Sequence, residues 1–180
     1  MTYYGAKHLA DSFRTVRKNT LAIAEEIPED KYDFKAAPEV MSVGEMLAHL
    51  AVSPMWQIEA HTKKIDQIDF PYFTARMQQA TLEQQALRTK ADIVKALTEN
   101  GATFAAFLEG LDEATLQSTV SFPPQAGGPK SRFEMLLGPK EHEMHHRGQL
   151  MLVQRLLGQV PHLTRARQQM QAQLQAQGAR

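Results

Sequence analysis

Three of the chain's seven histidines crowd into one stretch, Glu141-His142-Glu143-Met144-His145-His146-Arg147-Gly148-Gln149. His142 and His146 are four residues apart, so on a helix they share a face with about 5–6 Å between their Cβ atoms. Two imidazoles so placed can reach one ion at about 2.0–2.1 Å each. Helical steps onward from the pair lead to Gln149, Val153 and Leu157, which turns it toward an apolar interior. Buried neutral imidazoles need partners, and a metal ion satisfies two at once. His145 lies about 60° round the helix from His142. It ranks below His146 as the second ligand and reads as exposed or as support for the site.

The same residues spell H-E-x-x-H, the zinc-protease motif, but the rest of the chain does not support that chemistry. No Asp or Glu follows Glu143, so a downstream carboxylate ligand is excluded. The longer form of the motif needs Gly and His where this chain has Gln149 and Leu152. The one downstream histidine, His162, lies beyond Gly158 and next to Pro161, as if in a connecting turn. No strand pattern upstream offers an edge to a peptide. Glu143 therefore has no place as a general base. A third ligand should come from another helix, and His49, among Met46, Leu50 and Ser53, is the best candidate. His8 and His61 have polar neighbours and read as solvated. Trp56 and Phe104 are candidates for a pocket wall, although aromatic residues at helical spacing more often belong to a core.

Helices must carry these residues. Leu9, Phe13, Val16, Thr20, Ile23 and Ile27 recur in steps of three and four until Pro28, which predicts a helix over 5–27. Ser42-Val43-Gly44-Glu45 is a capping box opening a second helix over 42–65, with Pro54 set to kink or divide it. Ile93, Leu97, Gly101, Phe104, Leu108 and Leu111 predict a third over 89–110. Ser131-Arg132-Phe133-Glu134 opens a fourth over 131–158, with a kink expected at Pro139. The segment from Asp66 to Leu87 is long for a connection and has room for a short helix of its own. No period-two run of β-branched residues is evident. Four amphipathic helices bury their faces most simply as an all-α four-helix bundle, residues 1–160. The Gln/Ala-rich remainder, 161–180, reads as a polar tail or surface helix.

Composition sets outer bounds. The 180 residues carry 20 Lys+Arg and 20 Asp+Glu, and this neutrality argues against a dedicated nucleic-acid binder. The arginines after Glu143 (Arg147, Arg155, Arg165, Arg167, Arg180) are scattered, without the interleaved aromatics of a strand-binding surface. Cysteine is absent, so any sulfur nucleophile must come from a substrate. With no signal-peptide pattern and no membrane-length apolar run, a cytoplasmic protein without a membrane partner is expected.

Two segments resemble a known family. Met41-Ser42-Val43-Gly44-Glu45-Met46-Leu47-Ala48-His49-Leu50-Ala51 is similar to the second-helix segment of the DinB/YfiT-like proteins. Glu141 to Leu150 resembles their fourth-helix metal segment. The resemblance covers about residues 5–158 and departs from the family pattern at Gly138-Pro139. It implies an up-down-down-up bundle with a long second-to-third connection, commonly a homodimer, holding a divalent metal such as Zn or Ni through His49, His142 and His146. It further implies a metal-dependent enzyme with an open coordination position. That enzyme would act on a small molecule, either by transfer from a low-molecular-weight thiol or by hydrolysis. The competing expectation is a non-enzymatic bundle that binds a small ligand or a protein partner, its histidines purely structural.

Overall fold

A computed structural model describes residues 4–178. Helix α1 (Ala6–Glu26) buries Leu9, Phe13, Val16, Thr20 and Ile23, and it stops where Pro28 follows Ile27. Helix α2 (Val43–Val52) opens on the expected capping box, with both halves formed. The Glu45 N–H donates to Ser42 Oγ at 3.2 Å and the Ser42 N–H to Glu45 Oε2 at 2.6 Å. Pro54 divides the second predicted helix, and α3 (Met55–Thr62) continues beyond it. Helix α5 (Lys90–Glu109) starts on a second capping box, Thr89 with Asp92.

Between α3 and α5 the connection holds a full helix, α4 (Phe70–Ala86), of 17 residues rather than a short one. Asp69 caps it and Pro71 sits in its first turn, yet only Ala80 is buried. Its inward side carries Met, Ala, Thr and Gln instead of large aliphatics, so no apolar stripe announced its length.

A short helix α6 (Glu113–Gln117) and a two-residue antiparallel ribbon, β1 (Thr119–Val120) with β2 (Lys130–Ser131), bracket the Pro/Gly-rich loop. Two-residue strands are too brief to show alternation. Helix α7 (Arg132–Leu156) passes through Pro139 without a break, and α8 (His162–Gly178) follows with no buried residue. Residues 179–180, including Arg180, lie outside the described residues.

Packing fixes the order of the four long helices. Both α1 and α2 pack on α5 and α7, which places α1 and α2 on a diagonal. Tyr4 meets Phe133, Arg17 meets Glu143 and Glu26 meets Gln154, so α7 runs parallel to α1. Arg14 pairs with Glu109, Phe13 packs on Phe104 and Lys90 reaches the Ile27 carbonyl, so α5 runs antiparallel to α1. With α2 beside α5 and antiparallel to α7, the topology is up-down-down-up.

The apolar interior falls into three clusters: a small one around Ile68, Val120 and Met135, and two larger ones inside the bundle. One cluster gathers around Ile23, Leu47, Leu97 and Leu150, the other around Phe13, Phe104, Leu108 and Leu136. Between them lies a polar layer. Arg17, 4% exposed, forks onto Glu143, 1% exposed, with Nε to Oε1 at 2.9 Å and Nη2 to Oε2 at 2.9 Å. Its Nη1 donates to the Leu97 carbonyl and its Nη2 to the Leu50 carbonyl, both at 2.9 Å. One side chain thus joins α1, α2, α5 and α7. Gly101 makes room for it, since a Cβ there would stand 2.8 Å from Arg17 Cγ.

Candidate metal centre

His49 sits on α2 one residue before Leu50, and His142 and His146 sit on α7 on either side of Glu143. The Arg17 layer therefore sets the separation of the two helices that carry the histidines. His49 Nε2 and His142 Nε2 are 3.0 Å apart, and His142 Nε2 and His146 Nε2 are 3.2 Å apart. All three donor atoms lie within 4.8 Å of one another.

This donor set fits a divalent metal ion. Nitrogens bonded at about 2.0–2.1 Å to one tetrahedral ion would stand ~3.3 Å apart. Without an ion, His142 Nε2 faces two other ring nitrogens, and neutral imidazoles cannot supply each contact with one proton and one lone pair in the right place. The hydrogen-bond network assigns the His146 tautomer. Its Nδ1–H donates to Gln149 Oε1 at 2.7 Å, which leaves Nε2 with its lone pair toward the cluster. Gln149 is fixed in turn by its Nε2, 3.3 Å from His145 Nε2.

The electrostatics keep the cluster neutral. Burial, then the neighbouring His49 and His146, pushes the His142 imidazole down to about 4. Burial and His146 lower His49, against a hydrogen bond to Gln84 that raises it. Burial lowers His146, with Gln149 opposing. Neutral imidazole is the form that binds metal.

His49 and His142 open onto a cleft of about 350 Å³ between α2, α3, α4 and α7. Trp56, Phe73 and Met77 form its apolar side, and Gly138 and Pro139 sit in its wall beside His142. A second cleft of about 570 Å³, with Glu45, Arg88 and Lys90 in its lining, shares Thr81 and Gln84 with the first.

Several sequence expectations need correction. The buried stripe of α7 runs through Leu136, Pro139, Glu143, His146, Leu150 and Val153, so Glu143 is at its centre and His142 at its margin. Gln149, expected to face inward, is exposed, as is His145. His61 is buried, not solvated, because Arg132 Nη1 contacts its Nδ1 at 3.0 Å and Phe107 stacks on its ring. His162 begins α8 instead of lying in a turn, half-buried with Nε2 3.2 Å from Asn19 Oδ1. Trp56 does line the cleft, but Phe104 is sealed in the core against Phe13. His8 is exposed, as expected. Arg17 was missed, although its position four residues after Phe13 and three before Thr20 places a charge on the apolar face of α1.

A four-helix bundle with three imidazoles converging between its second and fourth long helices defines the class. The chain belongs to the DinB superfamily, whose family model matches residues 12–150. Two solved structures from Bacillus subtilis share the fold. The DinB-like protein YjoA is 23% identical, with a TM-score of 0.64 over 84% of this chain and 92% of that one. YfiT, described as a probable metal-dependent hydrolase with an unusual four-helix bundle topology, is 15% identical, with a TM-score of 0.70 over 88% of this chain and 91% of that one. No curated protein matches the chain. Among the described residues, no helix is long and apolar enough to cross a membrane.

Proposed function

We propose that the protein is a divalent-metal-dependent enzyme acting on a small molecule, with His49, His142 and His146 as the metal ligands. The observation that carries this reading is the convergence of three neutral Nε2 atoms at the edge of a cleft. A zinc or nickel ion held there by the three imidazoles would keep a position open and would lower the pKa of a water or thiol that reached it. Gln149 holds the His146 ring in its ligand tautomer, Gln84 lies beside His49 in the cleft lining, and Trp56, Phe73 and Met77 give the cleft an apolar side.

Thiol transfer is favoured over hydrolysis. No carboxylate lines the cleft among the described residues, so no side chain is placed as a general base for water. A thiol ionises at about 8.5, far below water at roughly 15.7, and needs less assistance. The second cleft, charged where the first is not, gives a low-molecular-weight thiol and an acceptor separate approaches that meet at Thr81 and Gln84. The resemblance to the family's thiol transferases supports the same choice.

The reading extends to a cytoplasmic homodimer in which residues 1–160 form the metal-binding bundle and 161–180 an appended segment. Light scattering at micromolar concentration should give the dimer mass.

Two measurements test the function. Protein purified without a nickel column or chelator should carry about one divalent ion per chain by mass spectrometry. A chain that neither holds nor takes up metal would leave the histidines structural and the bundle a non-enzymatic binder. Zinc-loaded protein should then join a small thiol to an activated aryl halide, releasing halide, at a rate lost with the metal. Hydrolysis of an activated ester without thiol, and no thioether formation, would make the enzyme a hydrolase.

A further inference from the structure

Gln57 lies in the wall of the cleft that His49 and His142 open onto, 8% exposed. Its Oε1 is buried and has no hydrogen-bond partner among the described residues. A buried amide oxygen left this way is destabilising, and native structures rarely keep one without a reason. Lacking a partner, the amide can turn about its last side-chain bond without breaking any bond from its oxygen. It can therefore present that oxygen to a molecule in the cleft.

The rest of the lining narrows what that molecule is. Trp56 and Phe73 meet edge to face with centroids 5.9 Å apart, and Met77 lies beside them. No Lys, Arg, Asp or Glu lines this cleft among the described residues, in contrast to its neighbour. A cationic group entering it would lose its hydration with no counter-charge to meet, whereas an aromatic ring would find apolar and aromatic walls. The volume of about 350 Å³ is at the small end for ligand pockets.

We propose that this cleft takes an aromatic or similarly planar apolar substrate that carries no positive charge and bears a hydrogen-bond donor, and that Gln57 is the specificity-determining residue that accepts from that donor. The proposal rests on the cleft being the substrate site of the enzyme proposed above, and it names the class of the acceptor substrate.

Trp56 is the chain's single tryptophan, so its fluorescence reports occupancy directly. Three probes of one shape separate the contributions: benzamide (neutral, with a donor), acetophenone (neutral, without one) and benzamidinium (cationic). Each is titrated into zinc-loaded and metal-free protein. Benzamide should quench Trp56 and bind about tenfold more tightly than acetophenone, as one net hydrogen bond allows. Benzamidinium should bind at least about tenfold more weakly than benzamide. In Gln57→Leu, benzamide should fall to the affinity of acetophenone, and Gln57→Glu should turn the preference toward benzamidinium. Circular dichroism confirms that each variant is folded. No quenching by benzamide, or an unchanged benzamide-to-acetophenone ratio in folded Gln57→Leu, would overturn the proposal. If the ratios hold while the protein takes up no metal, the enzymatic reading fails and the specificity of the cleft stands.

Discussion

Two sets of polar side chains hang from the same two turns of α7, and their partners differ in kind. Glu143 reaches inward to Arg17, and that pair finds partners within the protein: each carboxylate oxygen accepts from the guanidinium, which also donates to carbonyls of α2 and α5. His142 and His146, on either side, find mainly other imidazole nitrogens. A buried charge pair with complete hydrogen bonding holds helices together and asks for nothing further. Three nitrogens that cannot satisfy one another ask for an ion. A buried polar group is thus read as structural or functional by whether the protein itself completes it.

The sharpest way to break this contrast is to remove the imidazoles singly. His49→Ala, His142→Ala and His146→Ala should each weaken metal binding by more than the 10–100-fold typical of losing a supporting contact, as measured by metal content and the metal-dependent rise in Tm. His8→Ala, His61→Ala, His145→Ala and His162→Ala should keep the ion. If His145→Ala loses it while His146→Ala keeps it, the pairing on α7 is wrong. Full affinity in His49→Ala would remove the link between α2 and α7.

On the other side of the contrast, Arg17→Met and Glu143→Leu should each cost about 3–5 kcal/mol by stranding a buried charge. The double variant should recover much of that loss in urea denaturation, because no charge is left unpaired. Equal losses in single and double variants would mean that the layer acts by shape and not by pairing.

His61 provides an intermediate case, with one nitrogen against Arg132 and Nε2 without a partner among the described residues. Burial first, then the Arg132 charge, pushes its imidazole down to about 4. Between pH 6.5 and 4 the unfolded chain therefore binds a proton that the folded chain refuses, and stability falls as pH is lowered through that window. The loss is on the order of 3 kcal/mol. Metal-free wild type should lose more stability than metal-free His61→Gln across that range. Parallel pH curves for the two would remove His61 as the cause.

The smallest expected effect is at Gly101. Alanine there gains roughly 1 kcal/mol of helix propensity, but its Cβ collides with Arg17 Cγ. A net destabilisation of about 1 kcal/mol in wild type, reversed to a gain in an Arg17→Ala background that lacks the colliding Cγ, would show that the glycine is there to seat the arginine.

The four bundle helices were legible in the sequence because each carries an apolar stripe and either a cap, as at Ser42, Thr89 and Ser131, or a stop, as at Pro28. His49, His142 and His146 were legible as a set because helical spacing, resemblance and residue type agreed. What escaped had a weaker sequence signal. Helix α4 buries only Ala80, so it left no stripe, although it supplies a wall of the cleft. Arg17 was passed over because a charge on an apolar face reads as an interruption until its carboxylate is found 126 residues away. Glu143 was set aside with the protease motif, and helical periodicity placed the centre of the inward face one residue too early. His61 was misjudged because its neighbours in sequence are polar, whereas the groups that bury it, Arg132 and Phe107, come from other helices.

The Arg17 layer also has a consequence for how the chain is made. Arg17 leaves the ribosome early and packs among α1, α2 and α5, but its carboxylate is on the last long helix of the bundle. Until α7 emerges, docking the first three long helices would bury a guanidinium with carbonyls alone for company. Nascent chains ending before Glu143 should therefore remain loose and accessible to protease, with the arginine in water. Folding then waits for the C-terminal part of the bundle, although synthesis delivers N-terminal segments first. His142 and His146 arrive in the same turns, so the bundle closes and the three histidines meet in a single event.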